Sequence, residues 1–131
     1  FQLDVLAASV PFFRGRCVSV VIPTVDGEYG VLAGHSNTVG AVCDGELRFE
    51  TEDGVAHRAA VAQGVFKIDE ERVLLLLDAA ERPEDIDVNR ALRARQEAEE
   101  QLRQKHSMAE YQIAQGNLSR ALNRLRVSGK M

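Results

Sequence analysis

Turn signals recur through the first two thirds of the chain, too closely spaced for long helices to form between them. Asp-Gly pairs at 26–27, 44–45 and 53–54 are typical of tight hairpin turns. The stretches between them are short and rich in valine and leucine, and residues 1–6 alternate between apolar and polar side chains. This pattern predicts an N-terminal β-sandwich of about eight to ten short strands over residues 1–86.

Residues 87–131 have a different pattern, in which apolar residues recur every three or four positions, as in amphipathic helices. Asp87 is placed as an N-cap, and Ile86 and Ala91 have the spacing of a hydrophobic staple. A turn near His106 and Ser107 would join two helices into an antiparallel hairpin. The expected apolar stripes are Ala91, Ala94, Ala98 and Leu102 on the first helix, and Tyr111, Ala114, Leu118, Ala121, Leu122 and Leu125 on the second.

Pro83 marks the boundary between the two predicted domains, 1–86 and 87–131, because the residue before a proline disfavours helix. Charge also changes there. Residues 1–86 contain 7 basic and 15 acidic side chains, whereas residues 87–131 contain 9 basic and 5 acidic ones. An acidic domain followed by a basic one predicts two modules with different partners. The net charge of -4 argues against a general nucleic-acid-binding protein.

Several kinds of site and segment are absent from the sequence pattern. No apolar run approaches the roughly 20 residues of a membrane span, and no signal peptide is visible. Cys17 and Cys43 lack the spacing of metal ligands and are expected to be reduced, buried thiols. No arrangement typical of a nucleophile with its base occurs, so we expect a protein that is not an enzyme and needs no metal or cofactor.

A series of short motifs gives the chain a family resemblance. The motifs are the stretches at 13–23, 26–35, 45–47, 64–66, 78–81, 86–91 and 120–125. In this order and spacing the chain resembles the epsilon subunits of bacterial F-type ATP synthases along essentially its whole length. It departs from the family pattern in one turn, with Ala33 in place of proline and Ser36-Asn37 in place of Ala-Pro.

The resemblance implies a function. It implies a non-catalytic rotor subunit of the central stalk, which couples proton or sodium flow to ATP synthesis at the cytoplasmic face of the bacterial plasma membrane. The sandwich would contact the gamma subunit and the c-subunit ring, and the helices would reach the alpha and beta subunits and restrain ATP hydrolysis. From the residues alone, a generic β-sandwich adaptor with a helical partner-binding tail remains an alternative.

Two residues of the sandwich are candidate partner contacts by this resemblance. Glu28 matches a position that faces the polar loops of the c ring, and His35 matches one near the gamma contact. The alternatives are a solvated hairpin acid for Glu28 and a turn-stabilising histidine for His35.

The hairpin carries a candidate site for regulatory ATP. Arginines near a helix N-terminus suit phosphate, although no P-loop accompanies them. Glu97 stands where the family has a further arginine, and a solvated basic face is the alternative interpretation. By the resemblance, the matching residues are Asp87, Arg90, Ala91, Arg120 and Arg124.

Overall fold

A computed structural model describes residues 1–104 and 107–129 of the chain. The chain divides into two compact units, Phe1–Glu81 and Arg82–Met131. Strands make up the first unit, and two helices make up most of the second. The predicted fold class, strands first and a two-helix hairpin second, is confirmed.

The first unit contains nine strands. Residues 1–81 form β1 (Gln2–Ala7), β2 (Val10–Thr24), β3 (Gly27–Leu32), β4 (Thr38–Val42), β5 (Gly45–Thr51), β6 (Ala56–Val61), β7 (Gly64–Ile68), β8 (Arg72–Leu77) and β9 (Ala80–Glu81). This number lies within the predicted range of eight to ten. The longest strand, β2, begins immediately after a turn at Ala8 and Ser9.

The long strand β2 belongs to two sheets. Its residues 10–16 pair with β1, which continues through β8 and β7 to β4 and forms the first sheet. Its residues 17–24 pair with β3 and β5, which continues through β6 to β9 and forms the second sheet. The β1–β8 pair is parallel and the others are antiparallel.

The core of the sandwich is mainly aliphatic, in line with the scarcity of aromatic residues. Strand alternation turns one face of each strand inward, and each buried aliphatic side chain contributes roughly 1.5–3 kcal/mol. Among the least exposed side chains are Leu3, Val5, Val20, Ile22, Leu47, Val73 and Leu75. Both cysteines are free; Cys17 is buried as predicted, whereas Cys43 is only half-buried because it lies in the turn between β4 and β5.

A 3-10 turn at Pro83–Asp85 leads into α1 (Val88–Leu102) and α2 (Met108–Ser128). The predicted N-cap is present, because the Asp87 carboxylate accepts a hydrogen bond from the backbone N–H of Arg90 at 3.0 Å. Ser107 caps α2 in the same manner, and Gly129 ends it at a φ of 77°. The predicted turn is therefore confirmed at Ser107, while His106 lies outside the described residues.

Small side chains line the contact between the helices. Ala91 and Ala98 of α1 are buried, and so are Ala114, Ala121 and Leu125 of α2. One predicted member of the second stripe is wrong, since Tyr111 is 41% exposed. The first buried residue of α2 is Ala114, so the close contact between the helices begins after the first turn of α2.

Candidate partner-binding surfaces

An exposed row of apolar side chains crosses the outer face of the first sheet. Val65 is 50% exposed and Leu76 is 43% exposed, and Val39 on the edge strand β4 is 75% exposed. Exposed apolar residues that adjoin one another are typical of interaction surfaces. The strand registers place five residues, one on each of five adjacent strands, directly beside one another, and we call them the apolar row: Ala41, Val65, Leu76, Leu6 and Pro11.

Sequence reasoning missed this row. The run 73–77 contains five apolar residues in succession, and a strand can turn only alternate residues inward. Val73, Leu75 and Leu77 are buried, which leaves Leu76 outside. In an antiparallel sandwich, a strand with one face in solvent normally alternates apolar and polar residues. The uninterrupted apolar run was therefore the sequence signal that the outer face of this strand is also covered by a partner.

Glu28, a predicted partner contact, lies in an ordered ion pair. Arg48 donates to both of its carboxylate oxygens, at 3.2 Å and 2.6 Å. The Arg48 hydrogen bond, followed by its charge, holds the pKa of Glu28 below its usual range. Glu28 is therefore an ionised, oriented and exposed side chain on the second sheet, and its contact with a partner stays a prediction.

Glu46 extends this pair into a ladder of four charges. Arg48 and Arg58 lie directly opposite each other on β5 and β6, and Glu46 accepts from Arg58 at 2.7 Å and lies 3.6 Å from Arg48. Burial opposes ionisation of Glu46, but the hydrogen bonds and charges of the two arginines outweigh it and hold its pKa below the usual range. One carboxylate thus separates two like charges that would otherwise face each other.

His35 is fixed by an aromatic neighbour. Its Nε2 lies 3.0 Å from the Tyr29 hydroxyl, and the two rings meet edge to face at 5.6 Å. Tyr29 in turn stacks on the core residue Phe66. A cleft of about 740 Å³ opens beside His35, with Glu70 and Glu71 of the β7–β8 turn on its rim. His35 thus stabilises its loop and also lines an open surface, while its contact with a partner stays a prediction.

The structure places the candidate nucleotide residues in the helical unit. Asp87 and Arg90 are joined by the N-cap, Ala91 is fully buried, and the Arg90 side chain is exposed. Arg120 donates to Asn117 on its own helix, and Arg124 is half-buried. The binding of ATP by these residues stays a prediction.

Glu97, which departs from the family pattern, is exposed on α1. A neighbouring arginine could offset the negative charge of Glu97 only if that arginine were not already paired with another carboxylate. Arg95 is engaged with Glu99 one turn away, at 3.4 Å. The departure at Glu97 therefore weakens the electrostatic case for bound phosphate.

Two kinds of feature are absent from the part of the chain that the structure describes. Residues 1–104 and 107–129 hold no group of three or more histidine, cysteine or acidic side chains able to bind a metal ion. Neither of their helices has the length and apolar character needed to cross a membrane.

Comparison with protein families assigns both units of the chain. Residues 1–83 match the family described as the ATP synthase delta/epsilon chain, beta-sandwich domain. Residues 84–129 match the ATP synthase delta/epsilon chain, long alpha-helix domain.

Individual relatives and solved structures agree with the family. The ATP synthase epsilon chain of Ruminiclostridium cellulolyticum is 43% identical over 130 residues, covering 99% of this chain and 96% of the relative. That of Caldicellulosiruptor saccharolyticus is 39% identical over 127 residues, 97% of this chain and 92% of the relative. A chain in the Tetrahymena thermophila mitochondrial ATP synthase central stalk and c-ring structure has a TM-score of 0.71 at 8% identity, covering 97% of this chain and 95% of that one. At that identity the likeness concerns the fold alone.

Proposed function

The chain belongs to the ATP synthase delta/epsilon family as an epsilon chain, and we propose that it works as a non-catalytic rotor subunit of the central stalk. In this role it binds the gamma subunit and the c-subunit ring and couples proton or sodium flow to ATP synthesis. It sits peripherally on the cytoplasmic face of the bacterial plasma membrane. Family membership favours this role over that of a generic β-sandwich adaptor.

The apolar row is the observation that carries the proposal. A rotor subunit must stay attached while torque is applied, which requires a contact surface that is costly to expose to water. Val65 and Leu76 are half-exposed on two neighbouring strands, and Val39 is largely exposed on the edge strand β4. We assign the apolar row and Val39 to the gamma subunit, and Glu28 on the second sheet to the c ring.

Co-purification tests this role. Affinity-tagged full chain, expressed in bacterial cells and recovered from detergent-solubilised membranes, should bring down gamma and c subunits. A fragment of residues 1–86, which contains the whole strand unit, should retain gamma. Recovery of a folded fragment without gamma would remove the sandwich as the assembly surface. Recovery of neither subunit with the full chain would contradict the rotor role.

The hairpin supplies a candidate regulatory function. It is a compact unit of its own, and its contact is built largely from alanines, which bury little apolar area. A weakly packed hairpin can extend toward the alpha and beta subunits and restrain ATP hydrolysis there. Removing residues 87–131 should then raise hydrolysis by the reconstituted catalytic sector while leaving assembly intact. Equal hydrolysis rates at all nucleotide and salt concentrations would contradict regulation by the hairpin.

ATP is the candidate regulatory ligand of the folded hairpin. Arg90 lies in the first turn of α1 with its side chain exposed, and Arg120 and Arg124 follow on α2. A charge-assisted hydrogen bond is worth roughly 1.5–3 kcal/mol, so Arg90→Ala should weaken ATP binding at least about tenfold in calorimetry. Glu97→Arg, which restores the family residue, should strengthen it. The absence of heat at millimolar ATP for both the unmodified chain and Glu97→Arg would contradict nucleotide sensing.

A further inference from the structure

Three Asp-Gly pairs, at 26–27, 44–45 and 53–54, carry a reactivity that the proposed function does not use. In such a pair the glycine nitrogen can attack the side-chain carboxyl carbon of the aspartate, because glycine has no side chain to obstruct the approach. A new C–N bond forms, and the carboxyl group and the nitrogen together lose one water molecule to give a cyclic imide. Water then opens the ring at either carbonyl carbon. Opening at the backbone carbonyl breaks the original peptide bond and leaves an isoaspartate of unchanged mass, in which the main chain runs through the former side chain.

Hydrogen bonds hold the aspartate of the pair at 53–54. The Asp53 carboxylate accepts from the Thr51 hydroxyl and from the Val55 N–H, the latter at 3.3 Å. These two bonds hold the pKa of Asp53 below its usual range. An ionised and hydrogen-bonded carboxylate is a poor target for the glycine nitrogen, because the attack requires a neutral carboxyl group that is free to turn towards it.

The pair at 44–45 is confined by packing as well as by a hydrogen bond. The Asp44 carboxylate accepts from the Gln63 N–H at 2.8 Å. Gly45 is buried, and a Cβ added to it would lie 2.7 Å from the Cβ of Pro23. Forming the imide there would require the Asp44 side chain to leave its hydrogen bond and approach a glycine that is already closely packed.

The pair at 26–27 lacks both restraints. Thr24 pairs with Gly27, so Val25 and Asp26 form the two-residue turn between β2 and β3, and residues 25–28 are all exposed. Within the described residues, 1–104 and 107–129, no group donates a hydrogen bond to the Asp26 carboxylate or forms an ion pair with it. The Thr24 hydroxyl donates to the Gly27 carbonyl at 2.7 Å, which restrains the turn without engaging the carboxyl group of Asp26.

We propose that Asp26-Gly27 is the main site of spontaneous isoaspartate formation in this chain, and that the fold protects the other two Asp-Gly pairs. The isoaspartyl form keeps a carboxylate but adds one methylene to the main chain inside a two-residue turn. Strand β3 begins at this turn, and its second residue, Glu28, is an outer carboxylate of the charge ladder. The modification thus changes the backbone that orients Glu28 towards Arg48. The reaction needs only water, so it is independent of the rotor role.

Ageing of the full chain tests the site. Purified chain is kept at neutral pH and physiological temperature for several weeks, and isoaspartate is located by electron-transfer mass spectrometry against a fresh sample. Trypsin leaves Asp26 and Asp44 on one peptide, 17–48, so a second cleavage after Tyr29 separates them. Isoaspartate should accumulate at Asp26 about tenfold faster than at Asp44 or Asp53, because each of those carboxylates must first give up a charge-assisted hydrogen bond.

Two variants and an unfolded control separate the effect of the fold from that of the sequence. Asp26→Glu keeps the charge but would need a larger imide ring, so it should remove most of the isoaspartate from the aged chain. Thr51→Val takes one hydrogen bond from the Asp53 carboxylate and should speed isomerisation there several-fold. In urea that unfolds the chain, the three pairs should react at similar rates, because a glycine follows each aspartate.

Isoaspartate that forms equally fast at Asp26 and Asp53 in the folded chain would overturn the proposal. A folded chain that stays unmodified at Asp26, after the unfolded chain has reacted at all three pairs, would also overturn it, since the turn would then be protected as well. An unchanged rate at Asp53 in Thr51→Val would overturn the assignment of protection to the hydrogen bonds.

Discussion

Replacing Gly64 with alanine should sharply destabilise the sandwich. A Cβ added at Gly64 would lie 2.0 Å from the carbonyl oxygen of Leu76 and 2.8 Å from the Cα of Leu77. Carbon and oxygen need roughly 3.3 Å, so β7 and β8 would have to separate by about 1 Å. Overpacking costs roughly 1–3 kcal/mol, and a clash with backbone, which cannot rotate away, belongs at the upper end. We therefore expect the free energy of unfolding to fall by about 3 kcal/mol.

The matched control is Gly30→Ala. Gly30 also lies in a strand, but an added Cβ meets nothing within 4 Å there, and its φ is not positive. Its free energy of unfolding should stay within about 0.5 kcal/mol of the unmodified chain. Urea denaturation followed on amide resonances of the sandwich measures both. Because β7 and β8 carry Val65 and Leu76, Gly64→Ala should also weaken gamma binding. A Gly64→Ala variant as stable as Gly30→Ala would refute the packing argument.

Three further predictions concern individual side chains. Glu46→Ala leaves Arg48 facing Arg58, so we expect urea denaturation to show a free energy of unfolding lower by about 1 kcal/mol. The control Glu50→Ala should change it little, and equal effects of the two variants would contradict the ladder of charges. Hydrogen bonds, first from the Thr51 hydroxyl and then from the Val55 N–H, hold the pKa of Asp53 below its usual range. The stability that Asp53 contributes is therefore present above its pKa in the unfolded chain, and it is lost as the pH falls through its pKa in the folded chain. Asp53→Asn should therefore flatten the dependence of unfolding free energy on pH between about pH 5 and pH 2, and an unchanged slope would contradict this. Burial raises the pKa of Cys17 to about 11, so iodoacetamide at pH 8 should label Cys43 first by mass spectrometry; equal labelling rates would be inconsistent with that burial.

Features that depend on neighbouring residues were predictable from the sequence. The Asp-Gly pairs at 26–27 and 53–54 lie at hairpins as predicted, because a hairpin turn is determined within a few residues. The hairpin predicted at 44–45 is wrong, since β4 and β5 on either side of it pair with other strands. Asp87 was identified as an N-cap because its hydrogen bond reaches only three residues along the chain. The turn at Ala8 and Ser9 was not predicted, since neither residue is typical of positive φ.

Features that depend on strand order were beyond the sequence. Glu28 was named as a candidate contact, but its pair with Arg48 joins residues 20 apart that meet only through the β3–β2–β5 arrangement. The apolar row likewise requires the register of five strands, which no local pattern provides. Both surfaces therefore required the structure.

The most direct test of the central claim is the affinity of the full chain for purified gamma subunit when one residue of the apolar row becomes charged. Val65→Lys places an ammonium within the row at a position 50% exposed, so the fold should tolerate it, and circular dichroism checks this. Val55→Lys is the matched control, because Val55 is 47% exposed and lies on the β5–β6 turn, outside the apolar row. We predict that Val65→Lys weakens gamma binding at least about tenfold in calorimetry and that Val55→Lys changes it less than about twofold. Unmodified affinity in Val65→Lys, or equal losses in both variants, would contradict the claim that this face attaches the subunit to the rotor.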